Sequence, residues 1–255
     1  MPQGSVLGPI LFVLFVNDIT NCLPPNTASK LFADDLKSYM MLSGEVGNMN
    51  FSLLLECISK WSMSWQLPLS ASKCGWMLIS NRSRPHDLSF KLNGEILQEL
   101  KEVKDLGVIY NSRLNFSNHI SSIVSKAKQR LYLLRKSFTY SDSRVLIQAF
   151  KTYVLPILDY CSPVWSPSSI VDIIKVESVQ RAFTRSLNIC HGLNYHDRLI
   201  KCDLISLEKR RLIADLFMFY KIVHKLAYSL LAKWCYYTRV ELNRWKLFKN
   251  GYQRG

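Results

Sequence analysis

Two adjacent aspartates, Asp34 and Asp35, interrupt a run of apolar and β-prone residues over positions 31–40. Such residues on both sides of a short polar pair predict a β-hairpin with the two acids at its tip. In a straight strand the two side chains would point to opposite faces, whereas a turn can bring both carboxylates near one point. Their oxygens would there suit a hard cation such as Mg²⁺. A solvated Asp-Asp turn without a ligand is the alternative interpretation of these residues alone.

The segment before this hairpin predicts a buried helix. Gly8 followed by Pro9 is typical of a helix start, and the helix is expected to run to about Asn21. Its apolar residues occur nearly all round the helix, which predicts burial on most sides. Gly4 would let backbone approach a ligand closely, although an ordinary turn before the helix explains it equally well.

Between the hairpin and residue 112 the pattern mixes helices with hairpins. Asn48 is the predicted N-cap of a helix with apolar residues on one face, namely Phe51, Leu54, Leu55, Ile58, Trp61 and Trp65. Strands are expected over 76–79 and over 106–110. Between them, Asn93-Gly94 separates two short apolar runs and is the strongest short hairpin signal in the chain.

Beyond residue 115 the sequence predicts helices. The first has an apolar stripe within about 100° of arc, formed by Ile120, Ile123, Val124, Ala127, Leu131, Leu134 and Phe138. The next is expected to begin with Ser141 as its cap and to bury Val145, Leu146, Ala149, Phe150 and Tyr153. Two more helices are expected over about 169–190 and 207–231.

The charge of the chain is strongly asymmetric. The 33 Lys and Arg residues exceed the 19 Asp and Glu residues by 14. Residues 1–100 have a net charge of −1, so the remainder has a net charge of +15. Such an excess indicates a polyanionic partner, with nucleic acid the leading class, although a solvated basic face is the ordinary alternative. Hydrophobic content of 48% and charged content of 20% exclude wholesale disorder.

The cysteine pattern and the N-terminal apolar run indicate in which cellular environment the protein is expected. The seven cysteines are scattered and include no CxxC pair, as expected for reduced thiols inside the cell, in the nucleus or the cytoplasm. The group formed by Cys190, His191, His196 and Cys202 fits no standard zinc spacing, so a zinc site is disfavoured. The apolar run over 6–16 lacks a basic flank and is too short to span a bilayer, so no membrane contact is expected.

Six segments occur in a characteristic order: PQGSVLGP (2–9), LFADD (31–35), SKC (72–74), EVKDLGV (102–108), SPVWSP (162–167) and EKRRL (208–212). In order and spacing they resemble the C-terminal half of the reverse transcriptases of non-LTR (LINE-type) retrotransposons, nearest the jockey and CR1 kind. The resemblance covers residues 1 to about 226. The last thirty or so residues carry none of it.

The resemblance implies an α+β fold, a partial right-hand polymerase palm over 1–112 followed by a basic helical thumb or connection region over 113–231. Residues 232–255 form an unassigned basic tail with interleaved aromatic residues. The implied activity is RNA-directed DNA polymerisation, a nucleotidyltransferase reaction, with Mg²⁺ or Mn²⁺ as cofactor. The implied partners are an RNA template, a DNA primer and its duplex, and dNTP.

The resemblance also assigns roles to individual residues. Asp34 and Asp35 would bind the catalytic metals, and Lys73 would donate a proton to pyrophosphate. The remaining assignments are Gln3 and Gly4 lining the pocket for nucleotide and template, Phe32 and Ala33 supporting the primer end, and Leu106, Gly107 and Val108 forming the primer grip. Four cations of the first thumb helix would contact the nucleic-acid backbone: Lys126, Lys128, Arg130 and Arg135.

The resemblance places the first palm carboxylate and the fingers upstream of Met1, in a missing N-terminal part of the same polyprotein. The chain alone is therefore expected to be inactive, because part of its carboxylate cage would be absent. The alternative is a non-catalytic nucleic-acid-binding remnant. An in-frame upstream stretch with an aromatic-rich acidic motif would favour the polymerase. The oligomeric state stays open.

Overall fold

The structure is a computed structural model that describes residues 6–25, 27–41, 44–80, 88–138 and 142–226. The chain divides into two compact units, Met1–Val103 with Asn111–Leu114, and Lys104–Tyr110 with Asn115–Gly255. The predicted mixture of small antiparallel sheets and helices is confirmed. Throughout these described ranges, every helix is too short or too polar to cross a lipid bilayer.

The first unit combines helices with very short strands. Its described helices are α1 (Gly8–Asn17) and α2 (Gly44–Ser64), with 3₁₀ turns at Asp18–Cys22 and Ala71–Lys73. Its strands are β1 (Ala28–Phe32), β2 (Asp35–Tyr39), β3 (Gly75–Trp76), β4 (Lys91–Leu92), β5 (Glu95–Ile96) and β6 (Gln98–Glu99). β7 (Glu102–Asp105) and β8 (Val108–Asn111) lie at the boundary between the units. In the described part of the chain, β1 pairs with β2 and β4 with β5 in antiparallel fashion, β3 pairs with β6 in parallel, and β7 pairs with β8.

Helix α1 begins at Gly8 with Pro9 in its first turn, as predicted. It ends at Asn17, and the chain then tightens into the 3₁₀ turn, so the predicted end near Asn21 is wrong. The prediction of burial on most sides is also wrong. Val16 is buried, whereas Leu14 is 67% exposed, because only one side of the helix packs on the first unit's core.

Helix α2 divides its apolar face between two cores. Leu54, Ile58 and Trp61 pack with Val16 and Ile19 of the preceding segment. On the adjoining side, Leu55 packs with a cluster formed by Trp76, Phe90, Leu92 and Leu97. The predicted apolar face is confirmed in this central part. Two details of the prediction are wrong. The helix begins at Gly44, so Asn48 is an interior residue and not the N-cap. Trp65 lies beyond the helix end, and its side chain is 41% exposed.

The strand predictions succeed where a turn is clearly encoded. Asn93-Gly94 closes the hairpin of β4 and β5, and both residues have positive φ as a tight two-residue turn requires. The strand predicted over 76–79 is present only at Gly75–Trp76. The strand predicted over 106–110 is wrong at its start, because Leu106-Gly107 forms the turn between β7 and β8.

The second unit is helical. Its helices are α3 (Ser117–Ser137), α4 (Ser143–Tyr153), α5 (Leu155–Asp159), α6 (Ser162–Trp165), α7 (Ile170–Arg185), α8 (Tyr195–Lys201) and α9 (Leu207–Val223), with a 3₁₀ turn at Asn188–Cys190. The predicted stripe of α3 is buried from Ile120 to Leu134, and Phe138 beyond the helix end is 37% exposed. The core of the unit contains fully buried aromatic residues, including Trp165 and Phe150. The Phe150 ring stacks on the Phe183 ring with the two ring centroids 4.0 Å apart.

Several helix boundaries differ from the predictions. Asp142 caps α4, since its carboxylate accepts a hydrogen bond from the Arg144 backbone N–H at 3.1 Å, whereas Ser141 lies outside the described residues. Ala149 and Phe150 are buried, but Val145 and Tyr153 are exposed because the buried face of α4 is narrower than predicted. α7 ends at Arg185 and not near residue 190. The predicted end of the last helix at residue 231 lies outside the described residues.

Replacing Phe150 by Ala should destabilise the second unit by about 3–5 kcal/mol, because a fully buried ring and its stacked partner lose their contact. Phe219→Ala is the matched control, since Phe219 is 53% exposed in the same unit and its loss should change stability by about 0.5 kcal/mol or less. Urea denaturation followed by far-UV circular dichroism measures both free energies. Equal effects of the two substitutions would contradict the described core.

Candidate active site

The two predicted acids lie at the tip of a regular hairpin. β1 and β2 pair without interruption from Ala28 opposite Tyr39 to Phe32 opposite Asp35. This register leaves only Ala33 and Asp34 for the turn and makes Asp35 the first residue of β2. The predicted acidic hairpin is therefore confirmed.

The hairpin tip combines exposure with backbone strain. Asp34 and Asp35 are exposed, and Phe32 beside them is 61% exposed. Ala33 has a φ of 52°, a left-handed conformation that costs a residue with a Cβ about 1 kcal/mol or more. Strain of this kind persists where the surrounding structure imposes it, and it is frequent at functional sites.

The carboxylate pair fits part of the ligand set of a divalent cation. Carboxylate oxygens are hard donors, and Mg²⁺ is usually held by one or two carboxylates, several waters and substrate phosphates. Over the described ranges, no group of three or more His, Cys, Asp or Glu side chains converges on one point. Asp34 and Asp35 could thus supply two ligands, with water and phosphate oxygens supplying the others.

Of the predicted residues Lys73, Gln3 and Gly4, only Lys73 lies within the described part of the chain. Lys73 ends a 3₁₀ turn, where its backbone N–H donates to the Ser70 carbonyl at 3.0 Å, and its side chain is exposed. The described hydrogen bonds and ion pairs include none between Lys73 and Asp34 or Asp35. Gln3 and Gly4 lie outside the described residues.

The predicted primer-grip residues form a turn. Leu106 and Gly107 have φ of 44° and 89°, and Val108, the first residue of β8, is buried. The turn belongs to the helical unit. Tyr160 contacts this turn and His119 contacts Ile109 in the following strand, and neither residue was predicted from the sequence. The available signal was a histidine immediately before the apolar stripe of α3, which is too weak to single it out.

The predicted backbone-contacting cations fall into two groups. Lys126, Lys128 and Arg130 are exposed on α3 and form neither a hydrogen bond nor a salt bridge with the described residues. Arg135 is also exposed, but its guanidinium donates to the Ala182 carbonyl at 2.8 Å. All four cations stay predicted phosphate contacts, and the Arg135 guanidinium is in addition partly engaged within the unit.

The basic motif at the start of α9 has a structural role. Arg210 donates to both carboxylate oxygens of Asp159, with its Nε 3.1 Å from each, and this hydrogen bonding raises the Arg210 pKa. Arg211 is only 3% exposed. Glu177, also buried, accepts from the Leu207 backbone N–H at the start of the helix and from the Tyr195 hydroxyl. Arg210 is thus engaged in an ion pair within the unit and Arg211 is buried, so neither is a free phosphate-binding cation.

The Cys190 and Cys202 thiols contact each other at 3.4 Å and are both buried. Burial and the neighbouring thiol raise the pKa of Cys202 to about 12, so the sulfur stays protonated. His191 and His196 are exposed. The structure therefore gives this group the character of a packed thiol pair within the core.

His119 is buried and neutral. Its Nδ1 accepts a hydrogen bond from the Ile109 backbone N–H at 3.3 Å, and its ring packs edge-on against Trp165. Burial lowers the His119 pKa from its ordinary value of 6.5, and the charge of Lys126 lowers it further. The unfolded chain therefore takes up this proton more readily, so the folded state loses stability as the pH falls below about 6.5.

His119→Gln should reduce the loss of stability on acidification, because the amide can accept the Ile109 hydrogen bond but takes up no proton. The measurement is the free energy of unfolding in urea at about pH 7.5 and about pH 5. His196→Gln removes an exposed histidine of the same unit and should leave the pH dependence as in the wild type. An unchanged dependence in His119→Gln would contradict the assignment.

The exposed acidic hairpin lies in a segment of the chain that matches a known protein family. Residues 1–110 match the family model described as reverse transcriptase (RNA-dependent DNA polymerase). This part of the chain is a reverse transcriptase domain, and the chain is homologous to the polymerases of non-LTR retrotransposons. No solved structure matches the chain significantly.

Several relatives are proteins of Drosophila mobile elements. Identity is 27% over 221 residues with the RNA-directed DNA polymerase from mobile element jockey of Drosophila funebris, covering 80% of this chain and 23% of that protein. It is 25% with the Drosophila melanogaster jockey protein, covering 74% and 22%, respectively. It is 23% with the probable RNA-directed DNA polymerase from transposon X-element of the same species, covering 78% and 25%. The chain thus spans about a quarter of the length of these relatives.

Proposed function

We propose that this chain supplies the acidic palm hairpin and the primer–template-binding helices of an RNA-directed DNA polymerase from a non-LTR retrotransposon. The observation that carries the proposal is the register of β1 and β2, which leaves Asp34 and Asp35 together at an exposed tip. The reverse transcriptase match over residues 1–110 supports it. In this proposal residues 1–112 form a partial palm and residues 113–231 the helical thumb.

Asp34 and Asp35 would hold Mg²⁺, or Mn²⁺ in its place. Such an ion lowers the charge on the attacking 3′ oxygen and on the departing pyrophosphate. Phe32 and Ala33, exposed beside the acids, would support the primer end. Lys73, exposed in the same unit, is the proposed proton donor to pyrophosphate, and Gln3 and Gly4 would line the pocket for dNTP and the RNA template.

The helical unit would bind the primer–template duplex through its phosphates. Lys126, Lys128 and Arg130 are the proposed contacts, because they are exposed on one helix and not engaged in ion pairs with the described residues. Phosphate contacts fix the position of a duplex without reading its sequence. The second candidate function, nucleic-acid binding without catalysis, rests on the same cations and needs no metal at the hairpin.

Asp34→Asn should reduce primer extension on a poly-ribonucleotide template by about two to three orders of magnitude, because losing one charge-stabilising group at a reacting centre typically costs about 3–4 kcal/mol. The assay uses a polymerase that contains this segment, with Mg²⁺ or Mn²⁺. Glu95→Gln is the matched control, since Glu95 is an exposed acid that begins the second strand of another two-residue hairpin.

Extension by Asp34→Asn at the wild-type rate would remove Asp34 from the metal site. A turn role alone predicts that result, because Asn serves turns as well as Asp. Absence of extension by the wild type, together with retained duplex binding, would favour the non-catalytic candidate.

Replacing Lys126, Lys128 and Arg130 by Gln should flatten the salt dependence of duplex binding by roughly 0.9 log units per log unit of salt for each lost phosphate contact. Fluorescence anisotropy with a labelled RNA–DNA duplex at several salt concentrations measures the slope. The control replaces three exposed lysines of α8 and α9, Lys201, Lys209 and Lys221, and removes the same charge. Equal flattening in both variants would show that net charge, and not the α3 surface, determines binding.

A further inference from the structure

The turn between β7 and β8 is covered by a tyrosine of the helical unit. The Tyr160 hydroxyl donates to the Leu106 carbonyl at 2.9 Å. Its ring lies close over the next residue, because a Cβ added to Gly107 would be 3.3 Å from Tyr160 Cε1. Tyr160 therefore contacts both residues of the turn, at a separation of 54 positions in sequence.

A second anchor lies on the strand that leaves the turn. His119 Nδ1 accepts from the Ile109 backbone N–H, and Ile109 follows Gly107 by two residues. The His119 ring is 2% exposed and belongs to the first turn of α3. The hydrogen bond between β8 and α3 thus uses the backbone of β8, so it does not depend on the rotamer of a β8 side chain.

Trp165 connects the two anchors. Its Nε1 donates to the Tyr160 carbonyl at 2.7 Å, and its ring packs edge-on against His119 with centroids 5.4 Å apart. Trp165 is fully buried. Cys161, between Tyr160 and α6, has a φ of 51°, so the chain makes a sharp turn there that directs Tyr160 and Trp165 as described.

The surface that these anchors hold is suited to close approach of a polymer backbone. Gly107 has no side chain and is exposed, and Leu106 is 43% exposed. Lys104, in β7 of the same hairpin, is an exposed cation. The missing Cβ of Gly107 makes room for the Tyr160 ring, and the exposed backbone of the turn is left for contact with a phosphodiester strand.

We propose that Tyr160, His119 and Trp165 form a latch that positions the Leu106-Gly107 turn against the primer strand. They are positioning residues, because they act through the turn and not on the reacting atoms. This inference rests on the proposed function, since it takes the turn to be a contact of the primer–template duplex.

The latch itself is tested without nucleic acid. Tyr160→Phe removes one hydroxyl and keeps the ring, so amide hydrogen exchange of residues 106–110 should become about five- to tenfold faster, as expected for the loss of one hydrogen bond. Tyr153→Phe removes a hydroxyl from a 62% exposed tyrosine of the same unit and should leave that exchange unchanged. Unchanged exchange in Tyr160→Phe overturns the latch.

A second variant perturbs the turn from the other side. Gly107→Ala places a methyl group against the Tyr160 ring at a φ of 89°, and the control Gly94→Ala imposes similar strain at a φ of 83° where nothing lies within 4 Å. Local exchange should rise around the altered turn in both variants. A primer–template duplex should bind about five- to tenfold more weakly only to Gly107→Ala and Tyr160→Phe, as the loss of one hydrogen bond predicts.

Anisotropy with a recessed primer–template duplex separates the possible failures. Weaker duplex binding by both Gly107→Ala and Tyr160→Phe supports the positioning role, provided that Tyr160→Phe and the wild type have the same midpoint of thermal unfolding. Faster amide hydrogen exchange of residues 106–110 with unchanged duplex binding would show that the latch exists but does not position the turn against the primer strand. Absence of duplex binding by the wild-type chain is the failure of the proposed function, and the exchange result then still decides the latch.

Discussion

A two-residue connection between paired antiparallel strands constrains the backbone, since it requires a positive φ within the turn. The pairing of Phe32 with Asp35 leaves only Ala33 and Asp34 for this connection, and Ala33 takes a φ of 52°. The acids consequently stand at the end of a hairpin whose register cannot slip by one residue without reversing every side chain. The position of the candidate metal ligands therefore depends on this turn.

The second unit uses its charges in two different ways. In the EKRRL segment, Arg210 pairs with Asp159 and so joins α9 to the end of α5, whereas Arg211 is buried. Lys126, Lys128 and Arg130 have no such partners among the described residues and remain exposed. A positive net charge therefore indicates a nucleic-acid-binding surface only where the basic residues are exposed and are not paired with acidic residues of the same unit.

Local patterns made much of this fold predictable. The Asp34-Asp35 hairpin, the Asn93-Gly94 hairpin and the buried stripe of α3 each depend on residues near in sequence. The exposed side of α1 could not be predicted, because periodicity shows that a face is apolar but not whether another element covers it. The Leu106-Gly107 turn was predicted as strand because Leu106 is apolar and continues the apolar pattern of the following residues. The turn is stabilised by a hydrogen bond from Tyr160, which is 54 positions from Leu106 in the sequence.

The central claim is that the Asp34-Asp35 tip binds a divalent cation, and NMR of the chain with substoichiometric Mn²⁺ tests it most directly. Paramagnetic broadening should first affect the amides of residues 33–36, and excess Mg²⁺ should restore them, because hard cations compete for the same carboxylate oxygens. Asp197 and Asp203, exposed acids of the helical unit, provide an internal reference. Equal broadening around all these acids, or none at the hairpin, would contradict the claim.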